Sequence, residues 1–157
     1  MFQTFHLRKF LTSLGLTLAT GFLAGILSGG ESEVYGTLVK PPFSPPGSVF
    51  PVVWAILYVL MGVSLYMIRT LPDSAKKRSA LLIFVIQLFF NFCWPIAFFR
   101  FNLYCFSALW LAILIVLIGI TIYDFYKLKP IAGLLLVPYI IWCSYALYLN
   151  IGTCILN

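Results

Sequence analysis

The sequence predicts an all-α integral membrane protein, a bundle of five transmembrane helices, on three observations. Hydrophobic residues make up 62% of the 157 positions and charged residues only 9%, too few polar groups to cover a soluble globule. Five stretches, at 7–28, 47–69, 79–99, 103–126 and 131–155, reach the roughly 20 mostly apolar residues that a helical span needs. Runs such as Leu109 to Ile122 carry none of the apolar–polar alternation that a transmembrane barrel strand requires.

The first span follows Arg8 and Lys9. Its apolar stretch is too long for a cleaved signal peptide and no small-x-small site stands out after it, so it is expected to remain as a span. Gly21, Gly25 and Gly29 form two overlapping small-xxx-small patterns, which suit close approach of another span or of a second copy, and a homodimer is expected. The longest connection follows, Gly29 to Pro46. It contains Lys40-Pro41-Pro42-Phe43-Ser44-Pro45-Pro46, in which four prolines fix φ and remove four backbone donors. Such a loop is stiff and loses little entropy on ordering, so it serves either as a lid over a pocket or as a rigid connector.

The second span places Trp54 and Tyr58 one turn apart on one face. Pro72 and Asp73 mark a stop and restart before the third span. There Gln87 and Asn91 stand at i and i+4, and Trp94 and Phe98 continue the same face. Amides are costly in hydrocarbon, so this face should point into the bundle, where it either joins helices or touches a ligand. The fourth span is uniformly apolar, and Tyr123 and Tyr126 at its end, like Tyr66, fit an interfacial belt. Lys129-Pro130 opens the fifth, where Tyr139, Trp142, Ala146 and Asn150 share a face with a small residue between large ones, leaving room for a flat guest or a helix. Pro51, Pro95 and Pro138 should each remove a helical hydrogen bond, and kinks near Pro95 and Pro138 would widen the interior. The plan is a single domain with up-and-down connections.

The net charge of +6 reflects topology rather than nucleic-acid binding. Arg8, Lys9, Arg69, Lys76, Lys77, Arg78, Lys127 and Lys129 fall on one side, and Lys40 and Arg100 on the other with Glu31 and Glu33, which predicts the N-terminus inside and the C-terminus outside. Lys76-Lys77-Arg78 reads as solvated flanking charge or as a contact for anionic lipid. Cys93, Cys105, Cys143 and Cys154 lie far apart in sequence without metal-ligand or redox spacing and read as small apolar fillers. His6 has no neighbouring carboxylate or second histidine, so neither a metal site nor a hydrolytic triad is expected. No phosphate loop or dinucleotide fingerprint occurs, and no resident cofactor is expected.

Four ordered blocks carry a family resemblance over nearly the whole chain: Tyr35 with Leu38-Val39-Lys40-Pro41-Pro42-Phe43-Ser44-Pro45-Pro46; Val53-Trp54-Ala55-Ile56-Leu57-Tyr58; Gln87-Leu88-Phe89-Phe90-Asn91 with Trp94 and Phe98-Phe99; and Pro138-Tyr139-Ile140-Ile141-Trp142 with Ala146 and Leu149-Asn150. The chain resembles the TspO/MBR family, the tryptophan-rich sensory and translocator proteins once called peripheral-type benzodiazepine receptors. The resemblance implies a five-helix bundle, often dimeric, that binds porphyrins and related tetrapyrroles and in some members sterols. It places the pocket at Tyr35, Trp54, Tyr58, Gln87, Asn91, Trp94, Trp142 and Ala146. Phe98 and Asn150, on the faces derived above, complete the candidate ligand-binding set.

Three roles follow as expectations. The first is a receptor or transporter-like binder of protoporphyrin, haem-like and other flat apolar ligands. The second is light- and oxygen-dependent porphyrin degradation, with Trp54 and Trp142 as candidate catalytic residues and no acid–base pair to assist them. The third is a structural or regulatory protein whose aromatic faces only pack. Inverted repeats and broken helices, which mark secondary transporters, are not evident, so transport is the weakest of these mechanisms. The chain departs from the family pattern at Val34, where many members have tryptophan. A second departure is the absent C-terminal sterol motif, which lowers the expectation of sterol binding. A third lies around Trp110 and Leu111, which replace an acidic residue of some relatives.

Overall fold

A computed structural model describes residues 4–157, apart from the side chains of Glu31 and Ser32. The elements are α1 (Leu7–Ser28), α2 (Glu31–Thr37), α3 (Val49–Arg69), α4 (Ala75–Pro95) running into a π-helical turn (Ile96–Arg100), α5 (Tyr104–Leu128), α6 (Pro130–Leu134) and α7 (Val137–Leu156). Five helical units are long and apolar enough to cross a membrane, with α4 and its π turn as one and α6 with α7 as another. The protein is an integral membrane protein of all-helical fold, and the predicted spans are present with ends shifted by a few residues.

Each boundary has a local cause. α1 ends where Gly29 turns left-handed at φ 82°, a conformation that only glycine adopts without strain. α4 begins at Ala75, four residues before the predicted span, because the Ser74 hydroxyl accepts from the Lys77 backbone N–H at 3.1 Å and caps it. The Lys77 ammonium then donates to the carbonyls of Arg69 (3.2 Å) and Leu71 (2.7 Å) and to Asp73 (2.9 Å). Lys77 is therefore buried and engaged at the α3–α4 turn, which corrects its reading as part of a solvated or lipid-facing triplet.

The prolines also differ from expectation. Pro51 and Pro138 sit in the first turns of α3 and α7, where backbone N–H groups have no helical partner to lose. Pro95 alone lies inside a helix, and the chain answers it with the π turn that follows. The fifth span is broken at Leu135 and Leu136, beside the end that carries Lys129, and the predicted stiff connection contains the short helix α2.

Packing joins α1 to α3, α4 to α5 and α5 to α7, with α4 also against α1. Of the glycine pattern, Gly21 serves close contact within the chain, while a Cβ at Gly25 would meet nothing within 4 Å. A Cβ at Gly21 would meet the Tyr58 ring at 2.2 Å, and one at Gly62 would come within 2.9 Å of the Leu14 Cα, so both glycines are needed for α1 and α3 to approach. At one end of the bundle Lys9 donates to the Arg69 carbonyl and Arg69 donates to Thr12 and Ser13, which gathers the basic residues there. At the other end Cys105 and Cys154 form a disulfide, so two of the four cysteines are not fillers. Cys93 and Cys143 remain free thiols.

Candidate ligand site

α3 carries the aromatic pair Trp54 and Tyr58 one turn apart, their rings 5.7 Å between centroids, and faces Asn91 and Trp94 of α4. Where α1 completes the enclosure its residues are small: Gly21, Ala24 and Gly25, beside Leu18 and Phe22. Indole and phenol rings opposite three residues with little or no side chain leave a cavity of about 460 Å³. Nothing stands within 4 Å of a Cβ placed at Gly25, so the glycine opens onto this space.

Below the cavity runs a directed chain of hydrogen bonds. Tyr58 donates its hydroxyl to the Asn91 side-chain oxygen, Asn91 Nδ2 donates to the Tyr139 hydroxyl at 2.8 Å, and Tyr139 donates to Gln87 Oε1 at 2.8 Å. The order fixes the orientation of both amides, since each oxygen receives a hydroxyl proton. Gln87 Nε2 at the end of the chain and Trp142 Nε1 are buried donors without a hydrogen-bond partner among the described residues. An unpartnered buried donor costs about 1–3 kcal/mol, which a bound acceptor would recover.

A second cavity of about 500 Å³ lies on the other side of α3, between Val53, Ile56 and Leu57 and the α7 residues Val137, Pro138, Ile141, Trp142 and Tyr145. Trp54 and Trp142, assigned to one pocket by resemblance, thus line different cavities. Tyr139 packs edge-on against Trp54 at 6.3 Å on the α7 side.

The remaining predicted residues fall outside both linings. Tyr35 is buried, donates to the Pro45 carbonyl at 2.7 Å and packs on Phe50, which in turn packs on Trp142. Burial pushes its phenol above the usual value. Phe98 packs between Trp94 and Tyr104. Ala146 is buried on α7. Asn150 is fully engaged: Trp94 Nε1 donates to its oxygen at 2.9 Å, and its Nδ2 donates to the Tyr104 carbonyl at 2.7 Å and to Ser107 Oγ at 3.2 Å. The 38–46 loop lines neither cavity; it lies against α7.

Two contributions escaped sequence reasoning. The α1 glycines form a cavity wall, though their spacing had suggested only packing. Tyr139 is the hub of the polar chain, and its place three residues before Trp142 on the same face was the available signal.

Comparison with known proteins decides the family. The TspO/MBR family model matches residues 13–156. The chain belongs to the TspO/MBR family. It is similar to the tryptophan-rich protein TspO of Chlorobaculum tepidum, at 36% identity covering 92% of each chain. It is similar also to the tryptophan-rich sensory protein of Cereibacter sphaeroides, at 32% identity over 94% of this chain and 89% of that one. The translocator protein of Bos taurus is 32% identical over 89% of this chain and 82% of its own. Among TspO/MBR proteins this chain thus has relatives of both bacterial and animal origin.

Proposed function

We propose that this TspO/MBR protein is a membrane receptor for flat, largely apolar tetrapyrroles of the protoporphyrin class, held against Trp54, Tyr58 and Trp94 in the cavity between α1, α3 and α4. The observation that carries the reading is that cavity: Trp54, Tyr58, Trp94 and the Asn91 amide around about 460 Å³, with Phe22 and the α1 glycines opposite. Aromatic surface supplies affinity for a planar guest, and a few fixed polar groups set its orientation. Gln87 Nε2 and Trp142 Nε1 are donors available to the acceptors of a guest that reaches the α7 side.

On this reading the 38–46 loop is the outer cap of the bundle, the N-terminus lies inside and the C-terminus outside. A homodimer belongs to it on the resemblance alone, and cross-linking in native membranes measures it. The test of binding is titration of detergent-solubilised protein with protoporphyrin in the dark, followed by tryptophan quenching. Saturation at one guest per chain supports a receptor, whereas quenching that rises without saturating means that the aromatic faces only pack. Illumination of the saturated complex then separates binding from degradation, because a new pigment that disappears in Trp54→Phe or Trp142→Phe assigns the photo-oxidative role.

A further inference from the structure

We propose that the Cys105–Cys154 disulfide is a redox latch that fastens the 38–46 loop through the far end of α7, and that its reduction releases the two together. The latch rests on the reading above only where it concerns ligand; its mechanical part stands on geometry.

The loop has two partners, Tyr35 of α2, which donates to the Pro45 carbonyl at 2.7 Å, and the end of α7 with Asn157. Asn157, the last residue of the chain, grips Val39 by both backbone groups: the Val39 N–H donates to its oxygen at 3.2 Å and its Nδ2 donates to the Val39 carbonyl at 2.9 Å. Tyr148 donates to the Pro42 carbonyl at 2.7 Å and Tyr145 to the Phe43 carbonyl at 2.6 Å. Pro41 lies so close to Gly152 that a Cβ there would meet it at 2.6 Å. These four anchors, which hold residues 39–43, come from segment 145–157, while Tyr35 holds Pro45 at the other end of the loop. The prolines of the loop have no N–H with which to bond elsewhere.

The held conformation is strained. Phe43 has φ 64°, the left-handed region, while the residue is 89% exposed and gains little packing in return. A bulky residue keeps such a backbone only when its surroundings impose it, here the Tyr145 hydroxyl bonded to its carbonyl together with Ser44 Oγ, which donates to the Pro41 carbonyl at 2.7 Å. Without that grip the loop relaxes away from α7.

The grip in turn depends on where α7 ends. Past Asn150 the apolar residues Ile151, Ile155 and Leu156 face outward, with exposures of 45%, 77% and 46%, and Thr153 is the side chain buried against the bundle. Cys154, one turn beyond Asn150, is bonded to Cys105 in the first turn of α5 and is the covalent tether of that segment. The charge bias puts this end outside, where disulfides persist, so the pairing and the topology agree.

The chemistry is thiol–disulfide exchange with an external dithiol. Its thiolate attacks one sulfur and breaks the S–S bond, a mixed disulfide forms, and the second thiol closes the reagent's own disulfide. Two electrons and two protons pass from the dithiol to Cys105 and Cys154, which leave as thiols.

Hydrogen exchange at the Val39 amide reads the latch directly, because that N–H donates to Asn157. It is measured on the full chain in detergent as purified, after dithiothreitol, and in the C105S/C154S variant, with alkylation counting free thiols. Two free thiols before reduction and four after, with Val39 exchange rising about tenfold or more in the reduced protein and in the variant, establish the latch. Equal protection in all three states overturns it, as do four free thiols in the protein as purified. Reduced wild-type protein decides the matter if the variant does not fold. Protoporphyrin dissociation is timed in parallel: faster release on reduction extends the latch to the ligand. Faster loop exchange with unchanged release upholds the latch and removes the loop from the binding site.

Discussion

Asn91 and Asn150 are the same residue type, each 2% exposed, on two helices that pack on α5, and they do different things. Asn91 bonds Tyr58 and Tyr139 and still forms part of a cavity wall. Asn150 bonds Trp94, Tyr104 and Ser107 and lines neither of the two cavities. The neighbours make the difference. Around Asn91, α1 contributes Gly21, Ala24 and Gly25, which cannot fill the volume facing the rings; around Asn150, Trp94, Tyr104 and Ser107 engage both ends of the amide. An amide on a helix face is therefore a sign of burial, and only the size of what stands opposite turns it into a candidate ligand contact.

That contrast breaks first at Gly62. Gly62→Leu forces a side chain into Leu14 and Thr17 and pushes α1 from α3, so it should destabilise by about 3 kcal/mol and abolish protoporphyrin quenching while the Asn150 side stays intact. Thermal unfolding in detergent and the titration together measure it. Asn150→Leu comes next. It removes three interhelical bonds, which at about 0.6 kcal/mol each in a membrane amounts to about 2 kcal/mol, with protoporphyrin affinity changed less than about threefold. Asn91→Leu reverses the pattern: about 1 kcal/mol of stability from two bonds, but a loss of affinity of about tenfold or more, because the lost amide lines the cavity.

The smallest expected effect is electrostatic. Hydrogen bonding to Lys77, and then its charge, hold the Asp73 carboxyl below its ordinary value, so the native state binds this proton less readily than the unfolded chain. The stability from this pair is complete above the ordinary carboxylate range and is lost as pH falls through the lowered native value. The difference in melting temperature between wild type and Asp73→Asn should therefore shrink between about pH 5 and pH 2.

Much of the fold was legible because spans announce themselves by length and apolarity, and the stop and restart at Pro72 and Asp73 by turn chemistry. The breaks were not, because proline position within a turn decides whether a hydrogen bond is lost, as Pro51 and Pro138 illustrate against Pro95. Lys77 read as solvated because a buried ammonium satisfied by two carbonyls and a carboxylate has no local signature. Cys105 and Cys154, 49 residues apart, meet only through the packing of α5 and α7. For the site, the faces of Trp54, Tyr58, Asn91 and Trp94 were readable from helical spacing, whereas the division by α3 that puts Trp142 in a separate cavity depends on how helices meet.

The most direct test of the central claim is protoporphyrin titration of Gly25→Leu beside wild type. The glycine has open space around it, so the new side chain enters the cavity without displacing a neighbour, and the melting temperature should hold. Saturable quenching in wild type and affinity at least about tenfold weaker in the variant are expected. Equal affinity in the two proteins would contradict it and place the guest outside the space between α1, α3 and α4.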